Sequence, residues 1–126
     1  MSGQPSGAVG RLEAIVLDVN DLTRSTDFWS KVLGATVEPG VGPQYMRIKQ
    51  PSAPTLILQV VPERKVVKNR GHVDITVADI GRAITQVEAM GGRWLRTVEE
   101  PGDRFAVMAD PEGNEFCLVT ATAAGE

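Results

Sequence analysis

A chain of 126 residues with 42% hydrophobic and 23% charged side chains has the composition of one soluble globular domain, or of two small halves sharing a core. A net charge of -3 gives no basic field for nucleic acid or an anionic membrane surface, and no apolar run reaches the length of a membrane span. One cysteine, Cys117, excludes an intrachain disulfide, so the expectation is a cytoplasmic protein without nucleic-acid or membrane partners.

Residues 1–10 are rich in Gly, Ser and Pro and read as an N-terminal arm. Residues 12–19 alternate as a strand, with Ile15, Leu17 and Val19 on one face and Ala14, Val16 and Asp18 on the other. Asp21 is suited to cap a helix whose stripe is Leu22, Ser25, Phe28, Trp29, Val32 and Leu33, and Gly34 supplies a left-handed stop. Short strands are predicted over 35–37, 45–49 and 55–61, separated by Gly- and Pro-marked loops. A charged connector over 63–70 divides module one, 11–62, from module two, 71–120.

The second module repeats the first. At an offset of 58, Val77-Ala78-Asp79-Ile80 lies over Val19-Asn20-Asp21-Leu22, and Gly92 lies over Gly34. A strand over 71–77 is followed by a helix capped by Asp79 and ended by Gly91-Gly92. Strands over 93–98, 104–109 and 115–120 complete the unit, the last two joined by the turn Asp110-Pro111-Glu112-Gly113-Asn114. Its carboxylates lack the alternating spacing of a calcium loop. Residues 121–126 read as a tail. The order is βαβββ twice.

Each helix has one apolar stripe and so covers one sheet face, which leaves the opposite face for a ligand. That face carries Ala14, Val16 and Asp18 from module one and His72, Asp74 and Thr76 from module two. The last strands add Gln59 and, 58 positions later, Cys117, with Glu115 on the same face as Cys117. His72 is the only histidine and lies over Ala14 in the repeat.

With the paired order, the phrase Val19-Asn20-Asp21-Leu22-Thr23-Arg24-Ser25 with Phe28-Trp29 and Leu33-Gly34, and the Asp110-Pro111-Glu112-Gly113-Asn114-Glu115-Phe116 turn in place, the chain resembles the vicinal oxygen chelate superfamily. That superfamily includes glyoxalase I, the bleomycin-resistance proteins and the extradiol dioxygenases. The resemblance covers roughly residues 11–120, and the phrase Lys68-Asn69-Arg70-Gly71-His72-Val73-Asp74 with the Glu115-Phe116-Cys117 ending is similar to its glyoxalase-like group. It implies an α+β fold of two βαβββ modules forming a cup-shaped mixed sheet with helices on the outer face. Homodimers are common in such proteins.

The resemblance also implies a divalent ion (zinc, nickel, manganese or iron are the candidates) at positions corresponding here to Ala14, Gln59, His72 and Cys117. Ala14 has no donor atom, and Cys117 stands where the family usually has glutamate. The metal ligands carried over are therefore His72, Gln59 and, by a local shift, Glu115. Two functions follow. One is a small-molecule binder without the usual metal, its cup lined by Asp18, Gln59, His72, Asp74, Glu115 and Cys117. There, Asp18, Asp74 and Glu115 favour a neutral or cationic ligand. The alternative is a metal-dependent lyase, isomerase or dioxygenase with a rearranged site and His72 as the catalytic residue. A cup retained only for association is the plainest option.

Overall fold

A computed structural model describes residues 12–40, 42–69, 71–101 and 103–120, so the expected arm at 1–10 and tail at 121–126 lie outside the described residues. The elements run β1 (Ala14–Val19), α1 (Leu22–Leu33), β2 (Thr36–Pro39), β3 (Tyr45–Lys49), β4 (Thr55–Val60), β5 (Val73–Val77), α2 (Ile80–Ala89), β6 (Arg93–Glu100), β7 (Asp103–Ala109) and β8 (Glu115–Thr120). This is βαβββ twice. The strands form two four-stranded mixed sheets, ordered β1-β4-β3-β2 and β5-β8-β7-β6. In each, the first and last strands of the module pair parallel and the other pairs are antiparallel.

The helix ends follow from local chemistry. The Asp21 carboxylate accepts the Arg24 backbone N–H at 2.9 Å, and Asp79 accepts that of Arg82 at 3.0 Å. Gly34 closes α1 in the left-handed region, at φ 58°. The strand limits depart from expectation at several ends, among them β2, which runs on through Glu38 and Pro39, and most at one hairpin. The polar stretch 99–103, which lies between the strands expected at 93–98 and 104–109, is mostly strand, because Glu99 pairs with Arg104 and Glu100 with Asp103. Backbone pairing outweighs side-chain polarity there, leaving only residues 101 and 102 between the strands.

The helix-facing side chains of both modules merge into one core. Val19, Ile48, Leu56 and Leu58 of the first sheet and Ala106, Met108, Phe116 and Leu118 of the second pack around Phe28 and Trp29 of α1 and Ile80, Ala83 and Val87 of α2. Burying a Leu or Phe of this kind contributes about 1.5–3 kcal/mol. The centre is aromatic: Trp29 and Phe116 rings lie 4.9 Å apart and Phe28 and Phe116 rings 6.0 Å apart, both edge-on. Module one is thus seated on the last strand of module two. On the open face, Val107, Cys117 and Val119 make a smaller apolar cluster with Leu95, Val98 and Phe105.

The turn before β8 adds polar contacts between the modules. Asp110, 3% exposed, accepts the Trp29 indole N–H at 3.1 Å and the backbone N–H groups of Glu112 and Asn114 at 2.9 and 2.8 Å. The Glu112 carboxylate accepts the backbone N–H groups of Asn20 and Asp21 at the entry to α1, and pairs with Arg24 at 3.2 Å. Expected only as a turn, this segment is a clasp on the first helix.

Candidate functional site

The site grows from the end of β5. His72 directly precedes that strand, and Asp74 follows with the same side-chain direction. Their side chains meet, His72 Nε2 lying 3.2 Å from Asp74 Oδ1, and both remain about half exposed. The parallel register sets Cys117 of β8 beside Asp74. One ligand atom each from His72, Asp74 and Cys117 lies within 4.8 Å of the other two. Cys117 is 6% exposed, and its thiol is pushed up, chiefly by burial and next by the Asp74 charge; Glu115 adds to this, while Arg96 and Lys68 oppose it.

Next to this cluster, a cavity of about 430 Å³ opens at the seam between β1 and β5. Its wall is Ile15, Val16, Leu17, Trp29, Leu56 and Val73, and its polar rim is Asn69, His72, Asn114 and Glu115. Glu115 pairs with Lys68 of the connector at 3.9 Å, and its backbone N–H donates to Asn69 at 3.4 Å. Of the residues expected at the site, the structure therefore gathers His72, Asp74, Glu115 and Cys117. Asp18 lies apart, on a depression of about 240 Å³ that the connector covers. Gln59 pairs in register with Asp18 and Tyr45 and is not among the residues lining the cavity.

The register also changes which positions correspond between the modules. Ala14 pairs with Thr55 but Val73 with Phe116, so the second module carries two more residues between its parallel strands. An irregularity in the β6 pairing, between Trp94 and Arg96, lies within this longer segment. Val16 pairs with Ile57 as Asp74 pairs with Cys117, so the counterpart of Cys117 is Ile57; that of Gln59 is Val119. The equivalence of Gln59 with Cys117, expected from the constant offset, does not hold. Gln59 is displaced by two residues along β4, about 7 Å. The four corresponding positions are Ala14, Ile57, His72 and Cys117, and the first two have no donor. These residues do not fit a hard, six-coordinate ion held between the modules.

Cations on the open face were missed, among them Arg47 and Arg96. Arg47 shares its face with Tyr45, across from Ile57, and its Nε is buried without a hydrogen-bond partner. Arg96 lies across β7 from Cys117. Strand parity alone would have placed Arg47. With Glu115 paired to Lys68 and Asp74 to His72, the open face is mixed in charge rather than acidic.

Comparison with known proteins agrees with this architecture. No functionally curated sequence matches the chain. Among solved structures, the trypanothione-dependent glyoxalase I of Leishmania major is 22% identical, with 91% of this chain and 89% of that one covered and a TM-score of 0.70. A lactoylglutathione lyase from Agrobacterium tumefaciens is 19% identical, covering 98% and 100%, with a TM-score of 0.69. A member of the glyoxalase/bleomycin resistance protein/dioxygenase superfamily from Sphaerobacter thermophilus is 18% identical, covering 89% and 98%, at 0.70. At these identities the likeness establishes the fold. The sequence profile of the glyoxalase-like domain matches residues 14–119, nearly the whole chain, and the protein belongs to that family, within the vicinal oxygen chelate superfamily.

Proposed function

We propose that this glyoxalase-like protein binds a small organic molecule in the seam cavity, without the inter-module metal of its superfamily. The observation that carries this reading is the cavity itself. At about 430 Å³ it falls in the range of small-molecule sites, with an apolar wall and a few convergent polar groups. Such a lining suits a largely apolar molecule with one hydrogen-bonding head directed at His72, Asn69 and Asn114. The mixed charges of the open face remove the expected preference for a cation.

The test is a thermal-shift and fluorescence screen of organic ligands against metal-free protein. Val16 lines the cavity and is 54% exposed, so Val16→Trp fills the space with little effect on the core. Genuine ligands lose binding in Val16→Trp and keep it in Gln59→Ala. Hits that bind Val16→Trp unchanged would reject this cavity as the site.

The second reading, a metal-dependent lyase, isomerase or dioxygenase, draws on one observation: the close approach of His72, Asp74 and Cys117. It predicts turnover that His72→Ala abolishes. A homodimer is also part of this proposal. Trp94 and Val37, 43% and 42% exposed in β6 and β2, offer apolar area to a second copy, which light scattering would detect. Among the described residues no helix is long and apolar enough to cross a membrane, and a cytoplasmic site is consistent with the single cysteine.

A further inference from the structure

We propose that His72, Asp74 and Cys117 form a zinc-type site confined to the second module, replacing the inter-module metal position whose first-module donors are absent. Three features of the geometry support this. Four-coordinate zinc with bonds of about 2.0–2.3 Å places its ligand atoms about 3.3–3.8 Å apart. The His72–Asp74 separation is 3.2 Å, and all three donors lie within 4.8 Å, so they sit within about 1 Å of a tetrahedral face. His72 and Asp74 are exposed and can close the remaining distance by small side-chain rotations, whereas Cys117 is held in the sheet.

The donor chemistry selects the metal. An imidazole, a carboxylate and a thiolate suit a borderline-soft ion and are poor for magnesium or manganese. Three protein donors leave a fourth position, the arrangement of zinc sites that accept an outside ligand. The surrounding charges are balanced. Asp74 and Glu115 face Arg96 and Lys68 around the thiol, so binding relies on direct bonds rather than on a negative field. Glu115 is held by Lys68 and lies outside the triad, and Gln59 lies on the other sheet. This proposal does not depend on the organic ligand, since the metal alone is the probe.

The experiment is titration of tag-free protein with zinc against a chromophoric chelator, followed by cobalt(II) substitution. Cys117 is the only cysteine, so any sulfur-to-cobalt charge-transfer band reports that residue. The expected result is one ion per chain, with that band and the strong visible absorption of four-coordinate cobalt. Cys117→Ser removes the band, and each of Cys117→Ser, His72→Ala and Asp74→Asn weakens zinc by about tenfold or more. Gln59→Ala changes nothing. His72 and Asp74 are surface residues, so their variants remain readable if Cys117→Ser fails to fold. Absence of stoichiometric zinc, a cobalt complex without the sulfur band, or unchanged affinity in the His72 and Asp74 variants overturns the proposal. Loss of affinity in Gln59→Ala overturns it in favour of a site spanning both modules.

Discussion

Asp110→Asn tests the clasp between the modules directly. The wild-type carboxylate accepts four hydrogen bonds: Oδ1 takes the backbone N–H groups of Glu112 and Asn114, and Oδ2 takes the Trp29 indole and the Asn114 amide at 3.1 and 3.2 Å. An asparagine keeps one carbonyl oxygen and puts an NH2 where the second acceptor was. If the oxygen stays on the turn, the new N–H groups confront two donors. Hydrogen bonds to a charged acceptor contribute about 1.5–3 kcal/mol each, and stranding buried donors adds to their loss, so the expected destabilisation is about 3–5 kcal/mol. That is a large part of the roughly 5–15 kcal/mol that holds a domain folded. Equilibrium urea unfolding, followed by tryptophan fluorescence and circular dichroism, measures it. Trp29→Phe should cost less, and the double variant should show coupling, because the two changes remove the same bond. A loss below about 1 kcal/mol for Asp110→Asn, on the scale of a neutral exposed contact, would refute the assignment of the turn as a clasp.

Three other positions give separable outcomes. Ser25 Oγ is buried without a partner, and its counterpart in the second helix is Ala83, so Ser25→Ala should raise stability by about 1 kcal/mol in urea unfolding. A methyl added at Gly92 would stand 2.5 Å from Val87 Cγ1, 3.1 Å from Phe28 and 3.2 Å from the Ala109 carbonyl oxygen, so Gly92→Ala should lower stability by about 1–3 kcal/mol. Burial raises the Cys117 thiol, so metal-free folded protein should alkylate more slowly with iodoacetamide than urea-unfolded protein at neutral pH. The sign for stability follows: the folded state keeps its proton where the unfolded chain has lost it. The contribution is full below the ordinary thiol range and declines as pH rises through the folded-state value, a decline absent in Cys117→Ser.

Much of this was legible in the sequence. Local rules act through neighbouring residues, so the caps at Asp21 and Asp79, the stop at Gly34 and the strand parity that aligns His72 with Asp74 could be read directly. Cys117 reached the site by the same parity. The two-residue change of offset was not readable, because it is set by strand pairing across β6, β7 and β8 and not by any one segment. It turned Gln59 from an apparent counterpart of Cys117 into that of Val119. The pairing of Glu115 with Lys68 likewise depends on where the connector folds back, and no periodicity encodes that. Asp110 reads as a turn residue from its neighbours; only the arrival of Trp29 from module one makes it a buried acceptor.

The same offset explains why the duplicated chain has an asymmetric site. In the register of the parallel strands, Gln50, Ser52 and Pro54 of the first module occupy the places of Asp110, Glu112 and Asn114 in the second. The second set ties module two to α1, to its entry at Asn20 and Asp21, and to the Asp18 carbonyl. The first set has neither carboxylate and, with Pro54, one backbone donor fewer. Where it faces β5 there is a cleft of about 230 Å³ reached by Gln50, Ala53 and Pro54 on one side and Asp74 and Ile75 on the other. One end of the seam is latched and the other is open. Asp74 borders the open cleft while His72 borders the larger cavity, so their pair stands between the two spaces. Polar groups of module two thus meet an apolar wall from module one.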